Sequence, residues 1–282
     1  MKSLTDTFKL YNGVEIPCVG LGTWQTADEV TKNAVLTALA FGCRHIDTAA
    51  AYGSESGIGD ALADSGIDRK EVFITSKLRN ACHGYKSTMD EFEKTLSNLK
   101  TDYLDLYLIH WPNPVQYRTT WKWALTETWR AFEDLYKDGR IRAIGVSNFM
   151  PHHIEALMEK SDVLPMVNQL KLCPGITQPE TVSYCRKNKI LAEAYSPFGT
   201  GSVFKNAQIA EIAEKYNKSV GQTVLRWCLQ NGFLPLPKSA NPMRIKQNSE
   251  IFDFELSDSD VDIISNLEGC CGEVPNPDNI LF

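Results

Sequence analysis

Tyr103-Leu104-Asp105-Leu106-Tyr107-Leu108-Ile109-His110 is apolar at almost every position and ends on an ionisable residue. A strand with one wet face would alternate. A run like this reads instead as a strand covered on both faces, the habit of parallel sheets. Further β-rich runs lie at 18–21, 44–48, 71–76, 141–146, 165–169, 190–194 and 233–236, which makes residues 103–110 the fourth of eight. Helical periods fill the gaps. Met89, Phe92, Leu96 and Leu99 repeat at three and four, as do Ile209, Ile212, Ala213 and Tyr216. Val30, Ala34, Ala38 and Phe41 follow a Thr26…Glu29 capping box, and Ser257…Asp260 caps a helix carrying Val261, Ile264 and Leu267. Parallel neighbours need a crossover, usually helical. Eight strand–helix units of about 35 residues fill the chain, so a single (β/α)8 TIM barrel over residues 1–282 is expected, with a doubly wound open sheet as runner-up. Residues 1–17 read as a hairpin turning at Asn12-Gly13, placed to cap the barrel bottom.

Composition narrows the function. The chain is 43% hydrophobic and 23% charged, and 29 basic against 35 acidic residues give a net charge of −6. That balance speaks against nucleic acid as a partner. The first residues lack the apolar core of a signal peptide, and no 18-residue apolar run exists, so a cytoplasmic protein without a membrane partner is expected. The 8 cysteines show no C-x-x-C spacing and read as reduced thiols. Gly20-Leu21-Gly22 and Gly57-Ile58-Gly59 miss the third glycine of the dinucleotide fingerprint, at Gln25 and Leu62. His152-His153, at a helix start after Pro151, read as solvated surface rather than metal ligands. A metal-free site built from ordinary side chains is expected.

In a barrel the C-terminal strand ends converge on one mouth, where chemistry is found. Asp47, Lys77 and His110 end strands two, three and four, and Tyr52 lies in the loop after Asp47. Together they suggest an acid that works on a carbonyl. An unperturbed tyrosine, with a pKa near 10, is a reluctant donor at neutral pH. A lysine cation about 4 Å away is worth up to ~4 kcal/mol at an effective dielectric near 20, enough to bring the phenol down by about three pH units. Asp47 would keep Lys77 charged and aimed, and a neutral His110 would polarise the carbonyl.

The stretches Gly20-Leu21-Gly22-Thr23-Trp24, Arg44-His45-Ile46-Asp47-Thr48-Ala49-Ala50-Ala51-Tyr52-Gly53, Ile74-Thr75-Ser76-Lys77-Leu78 and Leu108-Ile109-His110-Trp111-Pro112 resemble the aldo-keto reductase superfamily, near its short bacterial branch of diketogluconate reductases. The likeness runs from the hairpin to about Leu267. It implies a barrel that reduces aldehydes or ketones with NADPH, with Asp47, Tyr52, Lys77 and His110 as the catalytic tetrad and Tyr52 as the acid. It also implies a cofactor groove. Ser147, Asn148 and Gln169 would hold the nicotinamide carboxamide, Tyr195 would stack on its face, and Gly22, Thr23, Trp24, Asp47 and Ser196 would lie along it. Phe198 and Thr200 would line the pyrophosphate path, with Asn248 on the adenine. Lys238, Ser239 and Arg244 resemble the cradle of a 2′-phosphate, and as a compact donor set at a helix start they suit a dianion on physical grounds too. NADPH is therefore expected over NADH.

The pattern departs from the family in places. The loop after Gly199-Thr200-Gly201-Ser202 is short, which suggests fast cofactor release, and Lys171 stands where an acid is usual. Trp24, Tyr52, His110 and Trp111 would wall the substrate pocket. Arg79, where relatives carry tryptophan, suggests anionic substrates if it faces that pocket. The tail 268–282 is short, which suggests an open and tolerant site; its adjacent Cys270 and Cys271 are poorly disposed to bridge each other. A monomer acting on a small carbonyl compound is expected. An NADPH-binding barrel with a regulatory or structural role is the alternative, but such a chain would be free to lose part of the tetrad, and all four residues stand here. A hydrolase or lyase acting through Asp47 and His110 is disfavoured by Lys238, Ser239 and Arg244.

Overall fold

The computed structural model describes residues 1–282. Eight strands form one parallel sheet in chain order: β3 (Leu21–Gly22), β4 (His45–Asp47), β5 (Phe73–Leu78), β6 (Leu104–Ile109), β7 (Ile141–Ser147), β8 (Val167–Lys171), β9 (Leu191–Tyr195) and β10 (Leu234–Leu236). Gly20 N–H donates to the Pro235 carbonyl at 3.1 Å and Gly22 N–H to the Pro237 carbonyl at 3.0 Å, joining the first strand to the last. The sheet is thus a closed barrel, and the open doubly wound alternative is set aside. Every residue of β5 and β6 is buried, as the unbroken apolar run predicts for strands roofed by helices.

The one acid in that run has a structural use. Asp105 is 1% exposed and accepts from Arg142 at 2.6 Å, from Arg69 at 2.9 Å and from the Ile74 backbone N–H at 2.9 Å. Beside this cluster sits the antiparallel hairpin of β1 (Thr7–Lys9) and β2 (Glu15–Pro17). Its five-residue connection, 10–14, places Gly13 at φ 89°, which favours glycine. Asn12 donates to the Arg142 carbonyl at the start of β7, and Tyr11 to the Leu164 carbonyl before β8, so the hairpin closes the bottom as expected.

The helices α1 (Asp28–Ala40), α2 (Glu55–Ser65), α3 (Tyr85–Leu99), α4 (Trp121–Lys137), α5 (Pro151–Met158) and α6 (Pro179–Lys187) follow successive strands. Two helices, α7 (Ala207–Lys215) and α8 (Val220–Gln230), separate β9 from β10, and α9 (Pro242–Ser249) and α10 (Asp258–Ser265) close the chain. Ser257 caps α10 by accepting from the Asp260 N–H at 3.1 Å, as its sequence predicts. The Thr26…Glu29 box does not form. Thr26 gives its hydroxyl to the Thr23 carbonyl, and α1 starts two residues later without a side-chain cap. Its inward stripe is Thr31, Ala34, Val35, Ala38 and Leu39, so Val30 and Phe41, expected inside, are exposed. Gly57 and Gly59 have a packing role instead of a nucleotide-binding one. A Cβ on Gly57 would stand 2.3 Å from the Asp28 carbonyl of α1, and one on Gly59 2.6 Å from the Asn98 carbonyl of α3.

Candidate active site

Asp47 is the last residue of β4 and Lys77 the penultimate residue of β5, on adjacent strands whose register pairs Asp47 with Thr75. Lys77 Nζ donates to both carboxylate oxygens of Asp47, at 2.7 and 2.8 Å, and to the Thr48 carbonyl at 2.8 Å. All three ammonium protons therefore have acceptors although the residue is fully buried, which is what keeps a buried charge tolerable. Asp47 and Tyr52 together hold the Lys77 ammonium above its ordinary range despite burial.

Tyr52 ends a short 3-10 turn, Ala50–Tyr52, above β4. Its ring centroid lies 5.2 Å from Lys77 Nζ and 5.7 Å from the His110 ring, edge to face at 73°. The four residues singled out in the sequence are thus one cluster at the barrel mouth. Their electrostatics correct one expectation. Lys77 acts on the phenol in the expected direction, but burial outweighs it and the Tyr52 hydroxyl titrates above its ordinary value. Tyr52 is consequently a fully protonated donor at neutral pH. His110 is pushed down to about 3 by burial and by the Lys77 charge, so its imidazole is neutral.

A second network joins the ends of β7, β8 and β9. Tyr195 donates to Asn148 Oδ1 at 2.8 Å, and Asn148 Nδ2 donates to the His110 carbonyl and to Ser147 Oγ, both at 3.1 Å. Ser147 in turn donates to the Gln169 carbonyl at 2.9 Å. Gln169 Nε2 donates to Asp47 Oδ2 and to Glu193 Oε2, each at 2.8 Å. The residues expected around a nicotinamide are therefore wired directly into the tetrad. Around this rim Gln25, Asn148, Ser196 and Thr200 adopt positive φ of 57°, 61°, 48° and 54°. Such backbone strain is characteristic of ligand clamps.

The residues fit the expected cofactor. Lys238 and Arg244 are exposed, no carboxylate pairs with either, and Ser239 lies between them at the start of α9. Gly22 passes so close to β10 that a Cβ would meet the Leu236 carbonyl at 3.1 Å, which leaves the barrel seam beside Lys238 free of a side chain. Phe198 departs from its expected place. Its half-buried ring packs on Phe204 at 5.3 Å and lies against Gly221 of α8.

The substrate side differs more. Arg79 Nε pairs with Glu91 Oε1 of α3 at 2.7 Å, while the side chain stays 47% exposed and Glu91 also meets Lys94 at 3.5 Å. The tail 268–282 is fastened along the mouth, from the end of β8 to the residues that follow β6. Lys171 donates to the Cys271 carbonyl at 2.9 Å and to that of Glu273 at 2.8 Å, which gives this unusual base a role as a tether. Farther along, Asp278 accepts from Asn113 at 3.0 Å and meets His153 at 2.9 Å and His152 at 3.1 Å. Phe282 then packs edge-on against Trp111, ring centroids 5.4 Å apart. His153 is fully buried, contrary to its solvated reading, and accepts from the Met150 backbone N–H through Nδ1 at 3.1 Å. Its proton is therefore on Nε2, facing Asp278, which makes it a donor to the tail and not a metal ligand in this tautomer. Glu193, Asp278 and Phe282 escaped the sequence reading. Only Glu193 carried a signal, an acid in the middle of an apolar strand.

The family profile described as the aldo/keto reductase family matches residues 18–268. A glyoxal reductase of Bacillus subtilis (strain 168) is 49% identical over 282 residues, covering 99% of each chain. Among solved structures, an aldo/keto reductase from Brucella melitensis superposes with a TM-score of 0.87 at 44% identity, over 93% of this chain and 98% of that one. A Gox0644 mutant in complex with NADPH superposes with a TM-score of 0.91 at 36% identity, over 99% of both chains.

Proposed function

Since the chain belongs to the aldo/keto reductase family and reduces aldehydes and ketones with NADPH, we propose that Tyr52 is the acid of that reaction and that Lys77, Asp47 and His110 prepare it. NADPH supplies the hydride. The observation that carries the assignment is the buried Lys77 ammonium, held by Asp47 at 2.7 Å with the Tyr52 ring 5.2 Å away. As a carbonyl carbon gains hydride, its oxygen becomes an alkoxide and takes the Tyr52 proton. The phenolate left behind sits beside a fixed cation that needs no reorganisation, and solvent returns the proton. Asp47 keeps Lys77 charged and aimed. Neutral His110 orients the carbonyl oxygen without competing as an acid.

Ser147, Asn148 and Gln169 would hold the carboxamide, Tyr195 the nicotinamide face, and Lys238, Ser239 and Arg244 the 2′-phosphate that distinguishes NADPH from NADH. The glyoxal reductase likeness puts small aldehydes and dicarbonyls first among substrates. The single barrel domain would act as a monomer on such compounds. No helix is long and apolar enough to cross a membrane, and eight unpaired cysteines favour a reducing, cytoplasmic setting.

Tyr52→Phe tests the acid. It should bind NADPH with unchanged affinity while carbonyl-dependent NADPH oxidation falls by about 10²–10⁴-fold. A variant turning over at the wild-type rate would remove Tyr52 from the role.

A further inference from the structure

Glu193 stands in the middle of β9, wholly inside the barrel, and the reaction as described makes no use of it. It is the register partner of Gln169 on β8 and of Leu234 on β10, so the three side chains share one side of the sheet. Oε2 of Glu193 accepts from Gln169 Nε2, while Oε1 has no partner at all. The same amide nitrogen gives its other proton to Asp47 Oδ2. Two carboxyl oxygens thus claim both protons of one amide group, and only its nitrogen can answer two acceptors. The Gln169 side chain has a single orientation as a result. Its nitrogen faces Asp47 and Glu193, and its carbonyl oxygen accepts nothing from the chain.

We propose that Glu193 is a positioning residue for the reductase: it takes the second amide proton of Gln169 and so keeps that carbonyl free for the carboxamide of the nicotinamide. The proposal rests on the NADPH reading above and adds a residue that fixes one contact of that site from behind. Without Glu193 one amide proton would be orphaned, and a flipped amide would forfeit only the bond to Asp47. The charge balance around Glu193 agrees. The charged groups that reach it are Asp47 from β4 and Lys77 from β5, while β8 and β10 bring only Gln169 and Leu234. Burial first, and then the Asp47 charge, push its carboxyl up to about 8. At pH 7 it is neutral, with its proton on the free Oε1, and the single charge of Lys77 is left to Asp47 and Tyr52. Ionised, it would set a second buried anion beside Asp47 with no second cation to answer it.

The test is NADPH binding to the full-length protein, followed by fluorescence quenching, for Glu193→Leu and Glu193→Gln with thermal melts of both. Leucine removes the acceptor, and affinity should fall about tenfold, the worth of one buried hydrogen bond. Glutamine keeps a carbonyl oxygen in place of Oε2 and should bind within about twofold of wild type. A folded Glu193→Leu that binds like wild type overturns the proposal, as does a Glu193→Gln that loses as much affinity as the leucine variant. Should the leucine variant fail to fold, Glu193→Met, which keeps the length of the side chain without an acceptor, is measured in its place with the same expected loss. Wild-type protein that binds no NADPH would sink the cofactor reading instead, a result distinct from both.

Discussion

Asp105 and Asp47 are both buried carboxylates on barrel strands, one near the bottom of β6 and the other at the top of β4. Their surroundings differ in kind. Asp105 is answered by two arginines whose side chains are 20% and 45% exposed, so its charge is matched twice over by groups that remain partly hydrated. A guanidinium is always charged and offers a rigid fork, which suits a joint meant never to change. Asp47 is answered by a single lysine that is itself 1% exposed and that also faces a tyrosine, with Glu193 carrying an unpartnered oxygen close by. The bottom of the barrel has more cation than it needs. The top has one positive charge shared among an aspartate, a tyrosine and, through Gln169, a neutral acid. A surplus of charge makes a fastening, whereas a shared charge makes a site whose proton can move.

Breaking the ion pair at each end should affect the two regions differently. At the top, Lys77→Met deletes the charge that stabilises the Tyr52 phenolate, and kcat should fall by about 10³-fold, the equivalent of the ~4 kcal/mol between charges about 4 Å apart at intermediate dielectric. Steady-state kinetics with a saturating aldehyde would read it, and a loss below about tenfold would deny Lys77 its role. At the bottom, Asp105→Ala should cost about 3 kcal/mol of stability in denaturant melts, because it strands two arginines and the Ile74 N–H. Activity per folded molecule should be unchanged. If catalysis fell in step with stability, the two ends would not be separable.

Acid should weaken both ends together and by the smallest increments. Burial lowers His45 and His110 to about 3 and His83 and His153 to about 4. Each titrates near its ordinary value of 6.5 once unfolded. A group whose folded pKa is depressed contributes stability above its unfolded value and loses it as pH falls toward the folded one. Between pH 7 and pH 5 each of the four should therefore cost about 1–2 kcal/mol. Replacing His83, which has no hydrogen-bond partner, by phenylalanine should flatten that slope in melts across this range. An unaltered slope would mean that His83 takes up its proton in the folded protein as readily as in the unfolded chain.

Most of the fold was legible from the strand residues because two-sided burial writes itself into sequence as unbroken apolar runs. Each of the eight expected strands overlaps an observed one, usually displaced by one to three residues. The tetrad was legible for a related reason. Strand ends in a barrel converge, so ionisable residues closing adjacent strands must meet. Legibility ended where a residue's role depends on a partner far along the chain. Lys171 had no reading until the tail came back to it. Nothing local showed that Arg79 would meet Glu91, twelve residues on in α3. His153 looked solvated because nothing local says that Asp278 lies over it; its neighbour His152 is exposed as expected.

Sequence alone determined the barrel, the order of its strands and which residue types gather at its mouth, since these follow from periodicity and from the geometry of a closed parallel sheet. It also set the direction in which Lys77 acts on Tyr52. Only the tertiary structure decided how strongly. Burial is a property of the assembled interior, and it leaves Tyr52 fully protonated, His110 neutral and Glu193 uncharged. Tertiary structure also decided that the fifteen-residue tail is fastened along the mouth, from Lys171 to Trp111. Length limits how far a chain can reach, but the direction it takes depends on acceptors and rings brought together by the fold.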